Sequence, residues 1–180
     1  MLIERARSAL LVIDIQERLL PHIDEGQAVL DHAVWLVKVA QRLGVPVMVS
    51  EQYPKGIGPT VAVLRGLTSP ECVGEKLHFS CVAARCLDAL AGAGRPQVVV
   101  AGTESHVCVL QTVLDLRAQG REVFVVAEAV GSRKPADKAL ALERMRAHGA
   151  GIVSREMVAF EWLRQAGTDE FREISREFLR

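Results

Sequence analysis

The sequence predicts an α/β fold: a three-layer α/β/α sandwich of Rossmann-like type, built on a parallel sheet. Three observations predict it. Short apolar runs without alternation recur along the chain, as strands covered on both faces require. Segments with apolar residues at helical spacing separate them. Strand–helix alternation of this kind imposes right-handed crossovers and hence a parallel sheet. In open sheets of this type ligands sit at the carboxyl ends of the strands. The residues just after each strand are therefore the candidates for chemistry.

The first strand is 9–13 (ALLVI). A helix follows, with Leu30, Ala33, Val34, Val37, Ala40 and Leu43 recurring at three and four until Gly44 stops it. The second strand is 45–49 (VPVMV), and a Pro- and Gly-rich loop, 51–60 (EQYPKGIGPT), comes after it. That loop holds the only Tyr and should overhang the ligand end of the sheet. A weaker strand candidate lies at 71–75. Val82, Cys86, Leu87 and Leu90 predict a helix ending at Gly92. Strand 97–101 (QVVVA) leads to a helix carrying Val107, Leu110, Val113, Leu114 and Leu116, ended by Gly120. Strand 122–127 (EVFVVA) leads to a helix with Ala139, Leu140, Leu142, Met145 and Ala147, ended by Gly149. The last strand is 151–153 (GIV). Segment 160–180 mixes Phe160, Trp162, Leu163, Phe171, Ile174, Phe178 and Leu179 with charge. It reads as an amphipathic tail packed on its own domain or on a second subunit.

Composition narrows the function classes. The chain has 180 residues, 49% of them hydrophobic, and 22 Lys plus Arg against 22 Asp plus Glu. That length fits one domain, expected over 1–180 with no length left for a separate substrate module. A chain this size buries ~70% of its unfolded surface and needs no disulfide or metal staple. High apolar content with no net charge argues against disorder. Without a basic excess or a Lys/Arg run, nucleic-acid binding is disfavoured. Neutrality leaves self-association open. No stretch approaches the ~20 apolar residues of a membrane span, and the start lacks the features of a secretory signal. The four cysteines, Cys72, Cys81, Cys86 and Cys108, contain no C-x-x-C pair. A cytoplasmic setting with reduced thiols is expected.

Three residues stand at positions where chemistry is expected. Cys108 lies in or near the first turn of the helix after strand 97–101. Unpaired N–H groups there favour a thiolate and are able to hold an oxyanion. The alternative is a buried apolar cysteine. Asp14 directly follows 9–13, and a carboxylate at the end of a buried strand is costly unless paired or used. It reads either as a general base or as a loop hydrogen-bonder. Lys76 follows the weak strand; alone it reads as a surface charge. There is no P-loop, no complete dinucleotide fingerprint, no G-x-S-x-G elbow and no metal-ligand spacing among the five histidines.

These residues and their contexts resemble the isochorismatase-like cysteine hydrolase superfamily. The likeness runs through LLVIDIQERL around Asp14, SEQYPKGIGPT at 50–60 and GEKLHFSC at 74–81. It continues through VVVAGTESHVCVLQT at 98–112 and VFVVAEAVGSR at 123–133. The EQYPKG loop and the G-x-E-x-x-x-C form look like the isochorismatase-domain-containing subgroup. The resemblance implies a six-stranded parallel sheet of order 3-2-1-4-5-6. It implies a catalytic triad of Asp14, Lys76 and Cys108, with Lys76 lowering the thiol pKa. It also implies an oxyanion site from the backbone amides of Glu104 and Cys108, and a cis peptide between Thr103 and Glu104. Gln16, Tyr53, Phe79, Thr103 and His106 are the candidate substrate-binding residues. Nicotinamidases carry a metal-binding D-x-H where this chain reads Ser50-Glu51-Gln52, so neither a metal nor any other cofactor is expected. Isochorismatase proper lacks the nucleophilic cysteine, which argues against isochorismate as substrate. The expected activity is hydrolysis of a small amide or related C–N bond through a cysteine thioester, in a homodimer or higher homo-oligomer with its pocket near the interface. The competing readings are a catalytically idle binding or scaffold protein, or a thiol redox sensor, on the same fold.

Overall fold

The computed structural model describes residues 1–179; Arg180, the last residue of the expected tail, lies outside them. Six strands form one sheet: β1 (Ser8–Ile13), β2 (Val47–Gln52), β3 (Val73–Lys76), β4 (Gln97–Thr103), β5 (Glu122–Gly131) and β6 (Gly151–Val153). All neighbours pair in parallel, in the order β3-β2-β1-β4-β5-β6. The expected order and strand direction hold.

The sheet is covered on both faces because side chains alternate along each strand. Leu10 and Val12 of β1 join Val99, Phe124 and Val126 in one apolar core. That core is closed by α1 (Gly26–Arg42), α6 (Arg155–Leu163) and α7 (Asp169–Phe178). Ala9, Leu11 and Ile13 point the other way, into a core closed by α4 (Leu110–Ala118) and α5 (Pro135–Ala147). Two short helices, α2 (Pro54–Ile57) and α3 (Ala62–Arg65), lie in the connection after β2. Each large side chain sealed in these cores contributes ~1.5–3 kcal/mol relative to exposure.

Glycines end the helices where the sequence indicates. Gly44 takes φ 68, and the Gly44 and Val45 amides donate to the Gln41 and Ala40 carbonyls, at 3.2 and 2.8 Å. Gly120 and Gly149 close α4 and α5 with the same bond pattern. One expected helix is absent. Residues 81–90 form successive turns, because Arg85 is left-handed (φ 55) and the Cys86 carbonyl packs against Gly74 of β3. Its apolar residues still face the core, with Cys81 and Leu87 buried. The tail packs on its own chain: Trp162 and Ile174 are buried, and the Trp35 indole N–H donates to the Phe178 carbonyl at 3.0 Å.

The chain leaves β1 toward β2 on one side and later returns to place β4 on the other. The carboxyl ends of β1 and β4 therefore flank a crevice where the strand order reverses, the place where such sheets bind ligands.

Candidate active site

Asp14 follows β1 with a left-handed backbone (φ 53) and a fully buried side chain. Its carboxylate is satisfied from two sides. Ser50 Oγ donates to Oδ1 at 2.7 Å and Lys76 Nζ donates to Oδ2 at 2.7 Å. Both members of the Asp14–Lys76 pair have no exposed side-chain surface. Lys76 also donates to Gln52 Oε1 at 2.7 Å. Strand register explains these meetings: Ser50 lies opposite Ile13, Gln52 lies opposite Lys76, and positions 50 and 52 share a face of β2. Burial alone would lower the Lys76 ammonium pKa, but Asp14 and the neighbouring cysteines outweigh it, and the value is raised. Lys76 is thus a fixed cation.

Cys108 lies in a wide π-type turn, Ser105–Val109, that leads from β4 into α4. It is buried, and both charged groups act on it. Burial raises the thiol pKa and the Asp14 carboxylate raises it further; Lys76 pulls downward without cancelling them. Lys76 therefore acts in the expected direction, but the net result is a neutral thiol, because desolvation exceeds the cation's pull.

The turn begins at Glu104, which is left-handed at φ 55, ψ 59. A non-glycine residue held there costs ~1–2 kcal/mol. The expected cis peptide between Thr103 and Glu104 is not found: no cis bond occurs among the described residues. The left-handed Glu104 makes the sharp reversal with trans geometry. Its carbonyl accepts from the Val107 and Val109 amides at 2.9 and 3.3 Å. Thr103 Oγ1 donates to the Asp14 carbonyl at 2.6 Å and ties the two strand ends together.

The remaining candidates separate. Gln16 is fully buried and staples the loop after β2: its Nε2 donates to the Gln52 and Gly58 carbonyls, and its Oε1 accepts from the Gln52 amide. That leaves its amide little capacity for a ligand. Tyr53 is half-exposed and lines a cleft of about 510 Å³ with Pro54, Lys55, Lys76, Leu77 and His78. Phe79 is half-exposed and lies outside that lining. His106 places Nδ1 3.0 Å from Ser132 Oγ and 3.4 Å from Glu104 Oε2. Among the described residues no three His, Cys, Asp or Glu side chains gather as a metal site. No helix among them is long and apolar enough to cross a membrane.

Sequence reasoning missed Ser50, Gln52 and Arg133. The first two carried a faint signal, polar residues spaced by two in a buried strand. Arg133 reaches Glu104 Oε1 with its Nε at 2.7 Å and carried no signal.

Comparison with known proteins agrees with this fold. A family model described as the isochorismatase domain matches residues 8–157. The chain is 40% identical over 170 residues to isochorismatase domain-containing protein 1 of Danio rerio, covering 94% of this chain and 60% of that protein. It is 36% identical over 169 residues to isochorismatase domain-containing protein 2A of Mus musculus, covering 94% of this chain and 81% of that one. A solved structure named as the MAR1 ribonuclease of Caenorhabditis elegans superposes with a TM-score of 0.89 at 31% identity, covering 100% and 93% of the two chains. The Escherichia coli YcaC product, described as an octameric hydrolase of unknown specificity, superposes with a TM-score of 0.90 at 22% identity, covering 99% and 91%.

Proposed function

Because the chain belongs to the isochorismatase family, we propose that it is a metal-independent cysteine hydrolase that cleaves a small amide or related C–N bond. The supporting observation is the sealed Asp14–Lys76 pair, 2.7 Å apart, acting on the buried Cys108 thiol. A buried ion pair stabilises a fold weakly at best, so its placement beside a nucleophile argues for use.

The thiol is neutral at rest, so activation belongs to the reaction step. Asp14 takes the thiol proton as sulfur attacks the carbonyl carbon. Lys76 and Ser50 hold the carboxylate in place meanwhile. The oxyanion that forms is received by the Glu104 and Cys108 amides. The C–N bond breaks as the amine leaves with the proton held by Asp14. Water then gives its proton to Asp14 and attacks the thioester, which releases the acid and restores the thiol. No metal enters these steps. Substrate reaches the site by way of the cleft walled by Tyr53 and Leu77, in a cytoplasmic homo-oligomer.

An RNA-cleaving activity, suggested by the name of the worm structure, finds no support in a chain with equal numbers of basic and acidic residues. A redox-sensor reading has one favourable observation: Cys81 packs in the same apolar cluster as Cys108. Peroxide treatment followed by disulfide mapping separates it. The hydrolase reading is tested by a panel of small amides, carbamates and ureido compounds. Turnover by the wild type, lost in Cys108→Ser by three or more orders of magnitude, is expected.

A further inference from the structure

The oxyanion site depends on one strained residue, and the structure contains a device that holds it. Glu104 is left-handed with a largely buried side chain, yet it is neither glycine nor asparagine. Its two carboxylate oxygens are engaged separately. Oε1 takes the Arg133 guanidinium at 2.7 Å, while Oε2 lies 3.4 Å from His106 Nδ1 and accepts no hydrogen bond. His106 is itself fixed by Ser132 Oγ at 3.0 Å, and its Nε2 lies 3.9 Å from Asp137. Ser132 and Arg133 directly follow β5, whose Gly131 lies opposite Thr103, the last residue of β4. The end of one strand thus grips the residue that follows its neighbour.

We propose that Arg133 is a positioning residue: by clamping the Glu104 carboxylate it keeps the Glu104 backbone left-handed and so holds the turn that presents Cys108 and its amide to the oxyanion. The proposal rests on the reading of Cys108 as an acylated nucleophile. Among the described residues Arg133 pairs with neither Asp14 nor any other carboxylate but Glu104. Without Arg133 the buried carboxylate has no cation, and its route to water is rotation about the Glu104 backbone. That rotation also relieves the left-handed strain, so both changes favour the same movement, and the turn carrying Cys108 moves with it.

Two small probes of the intact protein separate this role from general damage. Acylation by p-nitrophenyl acetate builds an oxyanion; alkylation by iodoacetamide does not. Both need the Cys108 thiolate, so any change in thiol acidity cancels in the ratio of the two rates at one pH. We expect Arg133→Ala to lower the acylation-to-alkylation ratio by about 10- to 100-fold, within the range seen on weakening an oxyanion donor. Arg133→Lys should recover part of the loss, since it restores a cation without the planar fork. Glu104→Gln, which removes the charge that Arg133 grips, should lower the ratio to a similar extent. In that background Arg133→Ala should change it by less than about twofold. An unchanged ratio in Arg133→Ala, whether both rates fall together or neither moves, would overturn the clamp. Ester turnover that survives intact in Cys108→Ser would instead overturn the nucleophile reading beneath it.

Discussion

Asp14 carries two opposed duties at the level of a single residue. Its charge holds Lys76, yet the same charge keeps Cys108 protonated. The influences on the thiol rank as burial first, then Asp14 upward, then Lys76 downward. Replacing Asp14 by Asn removes an upward influence larger than the downward one of Lys76. The thiol pKa must then fall even if Lys76 loses its proton along with its partner. Asp14→Asn should therefore alkylate faster with iodoacetamide at pH 7–8, about threefold for each unit the pKa falls once the thiolate's lower nucleophilicity is counted, while substrate turnover collapses. A stopped alkylation assay over pH 6–9 reads this. Slower alkylation in the variant would mean that Asp14 promotes the resting thiolate and would contradict the assignment of charges. Asp14 and Cys108 were visible in the sequence because each follows a strand; Lys76 alone read as a surface charge and entered through the family resemblance. Their supports were not visible. Ser50 and Gln52 come from β2 and Arg133 from the end of β5, and no linear spacing records which strands become neighbours. The net acidity of Cys108 was equally hidden, because position on a turn indicates a dipole but not the depth of burial.

At the scale of elements, the site is made by two strand ends that must stay in close register. Gly102 is the contact point. It lies opposite Ile13 with φ 147, and a Cβ there would overlap the Ile13 carbonyl and sit 2.8 Å from the Ile13 nitrogen. Both obstacles are backbone, so neither yields by a rotamer change. Gly102→Ala should cost about 2–3 kcal/mol, a fall of about 4–12 °C in the thermal midpoint of a chain this long. It should also reduce Cys108-dependent turnover, because β4 carries the nucleophile turn and β1 carries Asp14. A calorimetric midpoint within about 1 °C of wild type would refute that account of the crossing. Strands and most helices were legible because unbroken apolar runs and three-four spacing are local signals. The turns at 81–90 were not. Val82, Cys86, Leu87 and Leu90 carry helical spacing, but the close approach of the Cys86 carbonyl to Gly74 is a tertiary contact that local pattern does not encode. The bounds of β5 also exceed its apolar run, since 128–131 continues past Ala127 through an irregular pairing with β4.

For the whole molecule, the zero charge balance conceals a concentrated internal pair and leaves the surface to decide assembly. Tyr53, Val63, Leu77 and Phe79 are all roughly half-exposed or more, and Tyr53 and Leu77 wall the cleft beside Lys76. Apolar side chains grouped at a cleft mouth favour association, and the bacterial YcaC structure is octameric. Light scattering on a size-exclusion column should give a mass at least twice 19.7 kDa, and Leu77→Asp with Phe79→Asp should shift it downward. A monomer of unchanged mass across a hundredfold range of concentration would contradict this. Family, sheet order and helical cover could all be anticipated from the chain, because they follow from many residues at once. Assembly rests on a few exposed side chains whose partners lie on another copy.

The claim on which everything else depends is that Cys108 is acylated during turnover. Intact-protein mass spectrometry on the amide, carbamate and ureido panel, quenched while substrate remains, measures it directly. The account predicts a mass gain equal to the acyl part of the substrate, mapped to Cys108, absent from Cys108→Ser and accompanied there by loss of turnover. Full turnover by Cys108→Ser, or an adduct on any other residue with Cys108 unmodified, would contradict it.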